Sequence, residues 1–193
     1  MSRKVNPIGL RIGVTKKWLS SWYAEGSSYG DAVIEDDKIR KYIRKNLRSA
    51  GIDSILIERS IKSLKMIIKV ARPGVVIGRK GSGLAKIRED MKKLTKSEVE
   101  FQVEEVQKPD LSASIVAESI AQSVERRVHV KRAINMSADR TMEAGAKGIK
   151  VQAGGTIHGP NSVAMVDVVT RGAIPTQTIR ADIDYASATA FTK

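Results

Sequence analysis

The sequence predicts an α+β protein of two lobes: a first lobe ordered helix, strand, strand, helix, helix, strand, and an α/β second lobe of two helices packed on a mixed sheet. Three observations predict it. Apolar residues recur at helical spacing in several stretches, alternate with polar residues in others, and the chain is divided once by the turn-forming Lys108-Pro109-Asp110. At 193 residues there is room for two lobes, since domains commonly run to about 100–150 residues.

Residues 1–37 read as an irregular basic arm, with Arg3, Lys4, Arg11, Lys16 and Lys17 preceding the first acid, Glu25, and glycines at 9, 13, 26 and 30. Val5, Ile8, Leu10, Trp18 and Trp22 make it too apolar to remain solvated, so it should become ordered against something. The first lobe, 38–107, opens on a basic amphipathic helix in which Ile39, Tyr42, Ile43 and Leu47 share a face. Gly51 stops it, Ile52 to Glu58 and Leu64 to Ala71 read as strands, and Leu84, Ile87, Met91 and Leu94 mark a further helix. Val99, Phe101 and Val103 alternate with Glu100, Gln102 and Glu104 as the closing strand.

The second lobe, 108–193, starts where Pro109 ends that strand and Asp110 or Ser112 can cap a helix. One helical run carries Ile115, Val116, Ile120, Val124 and Val128, and another carries Ile134, Ala138 and Met142 and stops at Gly145. Strands are expected at Ile149 to Ala153, along the apolar run Val163 to Val169, and at Ile179 to Tyr185, where alternation returns.

Composition narrows the chemistry. Lys and Arg number 34 against 21 acids, a formal charge of +13, which attracts polyanions by displacing their counterions. No run of 18 apolar residues exists, so a membrane is not the expected partner. There is no cysteine, and His129 and His158 sit in no metal-ligand spacing, so neither a metal nor a cofactor is expected. Asp182 and Asp184 are the best paired carboxylates for Mg²⁺, yet no third ligand, base or nucleophile accompanies them, and pairing with basic side chains is the better reading. Catalysis is not expected.

Val76-Ile77-Gly78-Arg79-Lys80-Gly81 is the central motif. Glycines allow a tight turn and let a sugar-phosphate chain approach the backbone, the N–H groups of the next helix face the phosphates, and Arg79 and Lys80 hold them. This is the GxxG logic of KH domains, which clamp about four nucleotides. Neither a P-loop nor a dinucleotide fingerprint fits, because the spacing of Gly74, Gly78, Gly81 and Gly83 is wrong for both. An isolated GxxG is often an ordinary turn; here the flanking α-β-β-α-α-β order supports KH. A second cluster, Arg126, Arg127, Lys131 and Arg132, would gather on one surface if the helices break near His129, although spacing alone favours a solvated charged face.

Several stretches resemble the family of the third small-subunit ribosomal protein of bacteria: Lys4 to Arg11, Ile39 to Ile43, Ala71 to Gly81, Gln122 to Arg127, Gly145 to Val151 and Ile179 to Tyr185. The resemblance covers nearly the whole chain. It implies a type II KH domain followed by an α/β domain, bound to rRNA in the head of the small subunit, with basic residues of the second domain gripping mRNA where it enters. By position these are Arg126, Arg127, Lys131 and Arg132; with Gly78, Arg79, Lys80, Gly81, Arg72, Lys147, Lys150, Lys4, Arg11, Lys16 and Lys17 they make up the expected RNA-binding set.

The implied partners are rRNA, mRNA and the head proteins ten and fourteen, without a membrane or a second copy of the chain, in a cytoplasmic or organellar ribosome. The chain departs from the family at Asn135, where a further basic residue is usual, and at Gly154 to Pro160, which replaces an arginine-containing turn. The family also adds a strand beyond the position of Lys193. A free-standing KH regulator or RNA-decay factor is the alternative, and it would carry an electrically neutral second lobe.

Overall fold

Burying one face of a helix against one face of a sheet organises the middle of the chain. In the computed structural model, which describes residues 5–60, 63–78, 81–95, 98–156 and 163–192, Trp18–Gln107 form one compact unit. Four strands lie in the order β1 (Ser20–Ser21), β2 (Ile52–Arg59), β3 (Ser63–Val70), β4 (Glu98–Glu105). The antiparallel β2–β3 pair sets Ile57 opposite Met66, while β4 runs parallel to β3 with Phe101 beside Met66. Parallel neighbours need a crossover, and two helices supply it: α1 (Pro73–Ile77) and α2 (Ser82–Leu94).

Strand alternation puts Leu64, Met66, Ile68 and Val70 on the covered face, where they meet Ile39, Ile43 and Leu47 of the preceding helix, α0 (Ser27–Asn46), and Ile87 and Met91 of α2. Each such burial is worth about 2 kcal/mol. The opposite face carries Lys65 and Lys69, 4.0 and 3.7 Å from Glu58 and Glu104.

Asp36, on the buried stripe of α0, ties helix and sheet together. Its carboxylate accepts from Ser20 Oγ at 3.1 Å, Trp22 Nε1 at 2.9 Å and Arg59 Nε at 2.8 Å. Arg59 also bonds Glu35 at 2.6 Å and lies 5.9 Å from the Trp22 ring centroid. Burial alone would lower the guanidinium's pKa, but the bonds to Glu35 and Asp36 outweigh it and raise the pKa above the ordinary value. Tyr42 donates to Asp90 and so joins α0 to α2; that bond, with a smaller one from Lys93, holds the Asp90 carboxyl below its ordinary range.

The second unit comprises Lys108–Lys193 and the described part of Met1–Lys17. Ser112 caps α3 (Ala113–Glu125), its Oγ accepting from the Ile115 N–H, and Asp184 accepts from the Ala113 N–H at 2.9 Å. α4 (Val130–Glu143) packs on an antiparallel pair, β5 (Gly148–Gly155) and β6 (Met165–Gly172), with Val151 opposite Val169. The expected combination of two helices and a sheet is present, with α3 packed on α4 and α4 on the strands. The buried apolar residues here are mostly small: Ala121, Ala133 and Ala138 beside Ile134.

Two expectations are corrected. The irregular arm expected over residues 1–37 is not what the described residues 5–37 form: α0 begins at Ser27 rather than Lys38, and Pro7–Arg11 form a short helix capped by the Asn6 side chain. Arg11 fixes this segment, for its buried guanidinium donates to the carbonyls of Ala181 (2.7 Å), Pro7 (3.0 Å), Thr176 (3.0 Å) and Thr178 (2.9 Å). The strand expected at Ile179 to Tyr185 is absent, because the chain there is turned, with Thr178 N–H on Pro175 O and Ala181 N–H on Thr178 O, and its carbonyls serve Arg11. Among the described residues no helix is long and apolar enough to cross a membrane.

Replacing Asp36 with alanine leaves the half-buried Arg59 with Glu35 in place of two carboxylate partners, beside the Ala32 carbonyl. We expect a loss of about 3 kcal/mol in urea unfolding; a loss below about 0.5 kcal/mol would show that the hub contributes little.

Candidate nucleic-acid interface

The glycine motif forms the turn between α1 and α2. Gly78 closes α1, its N–H donating to Gly74 O at 3.0 Å, and Gly81 caps the start of α2. Their φ angles are +69° and +79°, a region that favours glycine. A Cβ at Gly81 would meet nothing within 4 Å beyond its chain neighbours. The first turn of α2 carries no acid to compete for its free N–H groups. Arg79 and Lys80 lie outside the described residues, as does Lys4. Arg72 is exposed at the start of α1, its N–H fixed to Ala50 O at 3.0 Å.

Gly83 is a residue whose importance the motif did not reveal. A Cβ there would stand 2.5 Å from Val76 O and 3.1 Å from Ile77 O, so α1 and α2 approach as closely as they do only because no side chain intervenes. The signal available in sequence was a third glycine two residues after the second.

The helix break expected near His129 is formed. α3 ends at Glu125, and the Arg127 and Val128 N–H groups return to Val124 O (2.9 Å) and Ser123 O (3.1 Å) in the manner of a glycine-terminated helix, although Arg127, at φ +65°, takes the glycine position. A left-handed arginine costs about 1 kcal/mol. The break leaves Arg126, Arg127, Lys131 and Arg132 all exposed. Arg127 and Arg132 line a groove of about 490 Å³ between α3 and α4, whose lining does not include Arg126 or Lys131. Asn135 uses its amide locally, donating to Lys131 O at 2.8 Å.

The remaining candidates separate by burial. Lys147, before β5, Lys150, on β5, and Lys17 are exposed. Lys16 is engaged, 2.9 Å from Asp182 and 3.9 Å from Asp184, so those carboxylates answer a lysine as expected. Arg11 is corrected as a binding residue: with no exposed surface and four carbonyl partners it cannot reach RNA. Among the described residues no group of three His, Cys, Asp or Glu side chains is placed to hold a metal.

Gly83→Ala forces a Cβ against backbone, which cannot yield as a flexible side chain would. We expect destabilisation by about 1–3 kcal/mol in urea unfolding, together with weaker single-stranded RNA binding as the turn splays; unchanged stability would mean that α1 and α2 separate freely.

Comparison with known sequences agrees with this geometry. The family model described as KH domain matches residues 38–111, and that described as Ribosomal protein S3, C-terminal domain, matches residues 120–193. Small ribosomal subunit protein uS3 of Caldanaerobacter subterraneus subsp. tengcongensis is 44% identical over 192 residues, covering 100% of this chain and 86% of that protein. The Pelagibacter ubique protein of the same name is 44% identical over 192 residues, with 100% and 84% covered. That of a Sulfurihydrogenibium species is 47% identical over 194 residues, with 100% and 85% covered. Both family models and full-length relatives of this identity show that the chain belongs to the uS3 family of small ribosomal subunit proteins, structural and non-enzymatic components with a KH domain followed by an α/β domain.

Proposed function

We propose that this protein is a structural constituent of the small ribosomal subunit head, where it binds rRNA and grips mRNA at the point of its arrival during translation. The Gly78 to Gly81 turn carries the reading: it combines two positive-φ glycines, open space at Gly81 and an acid-free helix start. In this reading residues 38–107 are the KH lobe, with Gly78, Arg79, Lys80, Gly81 and Arg72 on RNA backbone. Residues 108–193 carry the second contact, through Arg126, Arg127, Lys131 and Arg132, with Lys147 and Lys150 on rRNA. Lys4 and Lys17 add charge from the first segment, while Arg11 and Lys16 serve the fold. The neighbouring head proteins ten and fourteen are the proposed protein partners, and the site of action is the ribosome, whether cytoplasmic or organellar.

Exposed cations at the α3–α4 break support a ribosomal role over a free-standing KH regulator, whose second lobe would need no basic cluster. Sedimentation of the tagged protein from cell extract tests this directly. We expect co-migration with the small-subunit peak that survives a high-salt wash; a free pool that binds mRNA without subunits would favour the regulator.

Replacing Arg79 and Lys80 by aspartates should weaken single-stranded RNA binding at least tenfold, since two attractive phosphate contacts become repulsive, with the far-ultraviolet circular dichroism unchanged. Wild-type affinity would make the turn a purely structural one.

A further inference from the structure

Residues 176–191 form neither helix nor strand, yet they are held at several places within the second unit. The carbonyls of Thr176, Thr178 and Ala181 accept from Arg11 at 3.0, 2.9 and 2.7 Å. Asp184 accepts from the Ala113 N–H, in the first turn of α3, at 2.9 Å, and the Phe191 N–H donates to Glu125, in its last turn, at 3.3 Å. From Asp184 to Phe191 an extended chain reaches about 23 Å, and from Ala113 to Glu125 the helix rises about 18 Å. The segment after Ala181 therefore runs the length of α3, with Ile183, Ala186 and Ala190 half-buried and Asp182, Tyr185 and Ser187 exposed.

Both hydrogen bonds to α3 are exposed to solvent, where a single bond holds a chain only weakly. The Arg11 cage is different. Its guanidinium is fully buried, and if it leaves, the carbonyls that the turned chain at 176–181 aims at it lose their donors. A strap with one end fixed keeps its other groups beside their partners at high effective concentration, and a strap loose at that end does not. Lys16, 2.9 Å from Asp182, lies on the same first segment as Arg11 and leaves with it.

We infer that residues 181–191 are a strap that closes along α3 and that Arg11 is its latch. The second unit then has an open state in which the first segment and the strap come away together and α3 loses the chain that runs along it. The latch is selective for a guanidinium: Nε meets Ala181, Nη2 meets Thr176 and Thr178, and an ammonium has no such planar fork with which to reach all three. Opening is local, because Trp18–Gln107 has a core of its own and keeps it.

The test is residue-resolved amide hydrogen exchange on the full chain, read at Ala113, Ala181 and Phe191, with Ile57 and Ile68 reporting on the first lobe. Arg11→Ala should speed exchange at least tenfold at the first three positions and less than twofold at Ile57 and Ile68. Arg11→Lys should behave almost as Arg11→Ala does. Guanidinium chloride at about 50 mM, far below the molar range in which it unfolds proteins, should restore part of the lost protection to Arg11→Ala, and sodium chloride at the same concentration should not.

Wild-type exchange at Ala113 and Phe191 in Arg11→Ala, whatever happens at Ala181, would mean that the strap stays in place without its latch. Wild-type protection in Arg11→Lys, or equal recovery of Arg11→Ala in either salt, would mean that the cage does not recognise a guanidinium. Loss of protection at Ile57 and Ile68 as well would make Arg11 a support of the whole chain, and the local strap would fall as an idea.

Discussion

A single guanidinium closes the second unit. Arg11 has no exposed surface and, among the described residues, no carboxylate partner, yet four carbonyl oxygens, three of them from Thr176, Thr178 and Ala181, surround it. Burying an ion costs several kcal/mol unless its donors are satisfied, so the carbonyls must stay where they are for the arginine to stay buried. This requirement turns the chain at 176–181, orders the helix Pro7–Arg11, and substitutes for the large apolar side chains that a core lined by Ala121, Ala133 and Ala138 lacks. Lys16, paired with Asp182, reinforces the same connection one loop later.

Positive charge in this protein is therefore of two kinds. Arg11, Lys16, Arg40 and Arg59 are internal fasteners: Arg40, for example, spans from α0 to Leu19 O at 2.8 Å and Ser20 Oγ at 2.9 Å, and burial draws its pKa down despite the opposing pull of Asp36. Arg72, just before the glycine turn, and the cations along the α3–α4 break are exposed instead. A formal charge of +13 says only that a polyanion is attracted; the fold decides which cations are left to meet it.

Legibility in the sequence followed the strength of the periodic signal. The β3 alternation at Leu64, Met66 and Ile68 and the α4 stripe at Ile134 and Ala138 were readable because each places one residue type on one face. The first part of α0 was not, since Val33 and Ile34 stay exposed there and the buried position is an aspartate. Ile179 to Tyr185 misled for the opposite reason: alternation is a local property, whereas the conformation there answers an arginine far away in sequence. At the candidate site, GxxG and the helix break could be read directly. Gly83 could not, because its importance arises from what folding brings opposite it, a backbone oxygen.

The Arg11 clamp has a consequence for the order in which the chain can form. A nascent chain leaves its ribosome from the first residue, but Arg11 finds Ala181 only 170 residues later. Trp18–Gln107, which holds a core of its own, can fold in the interval, and its collapse shortens the loop that the clamp must finally close. Until then the described part of the basic first segment is without these partners, and the second unit locks only once Ala181 has been made.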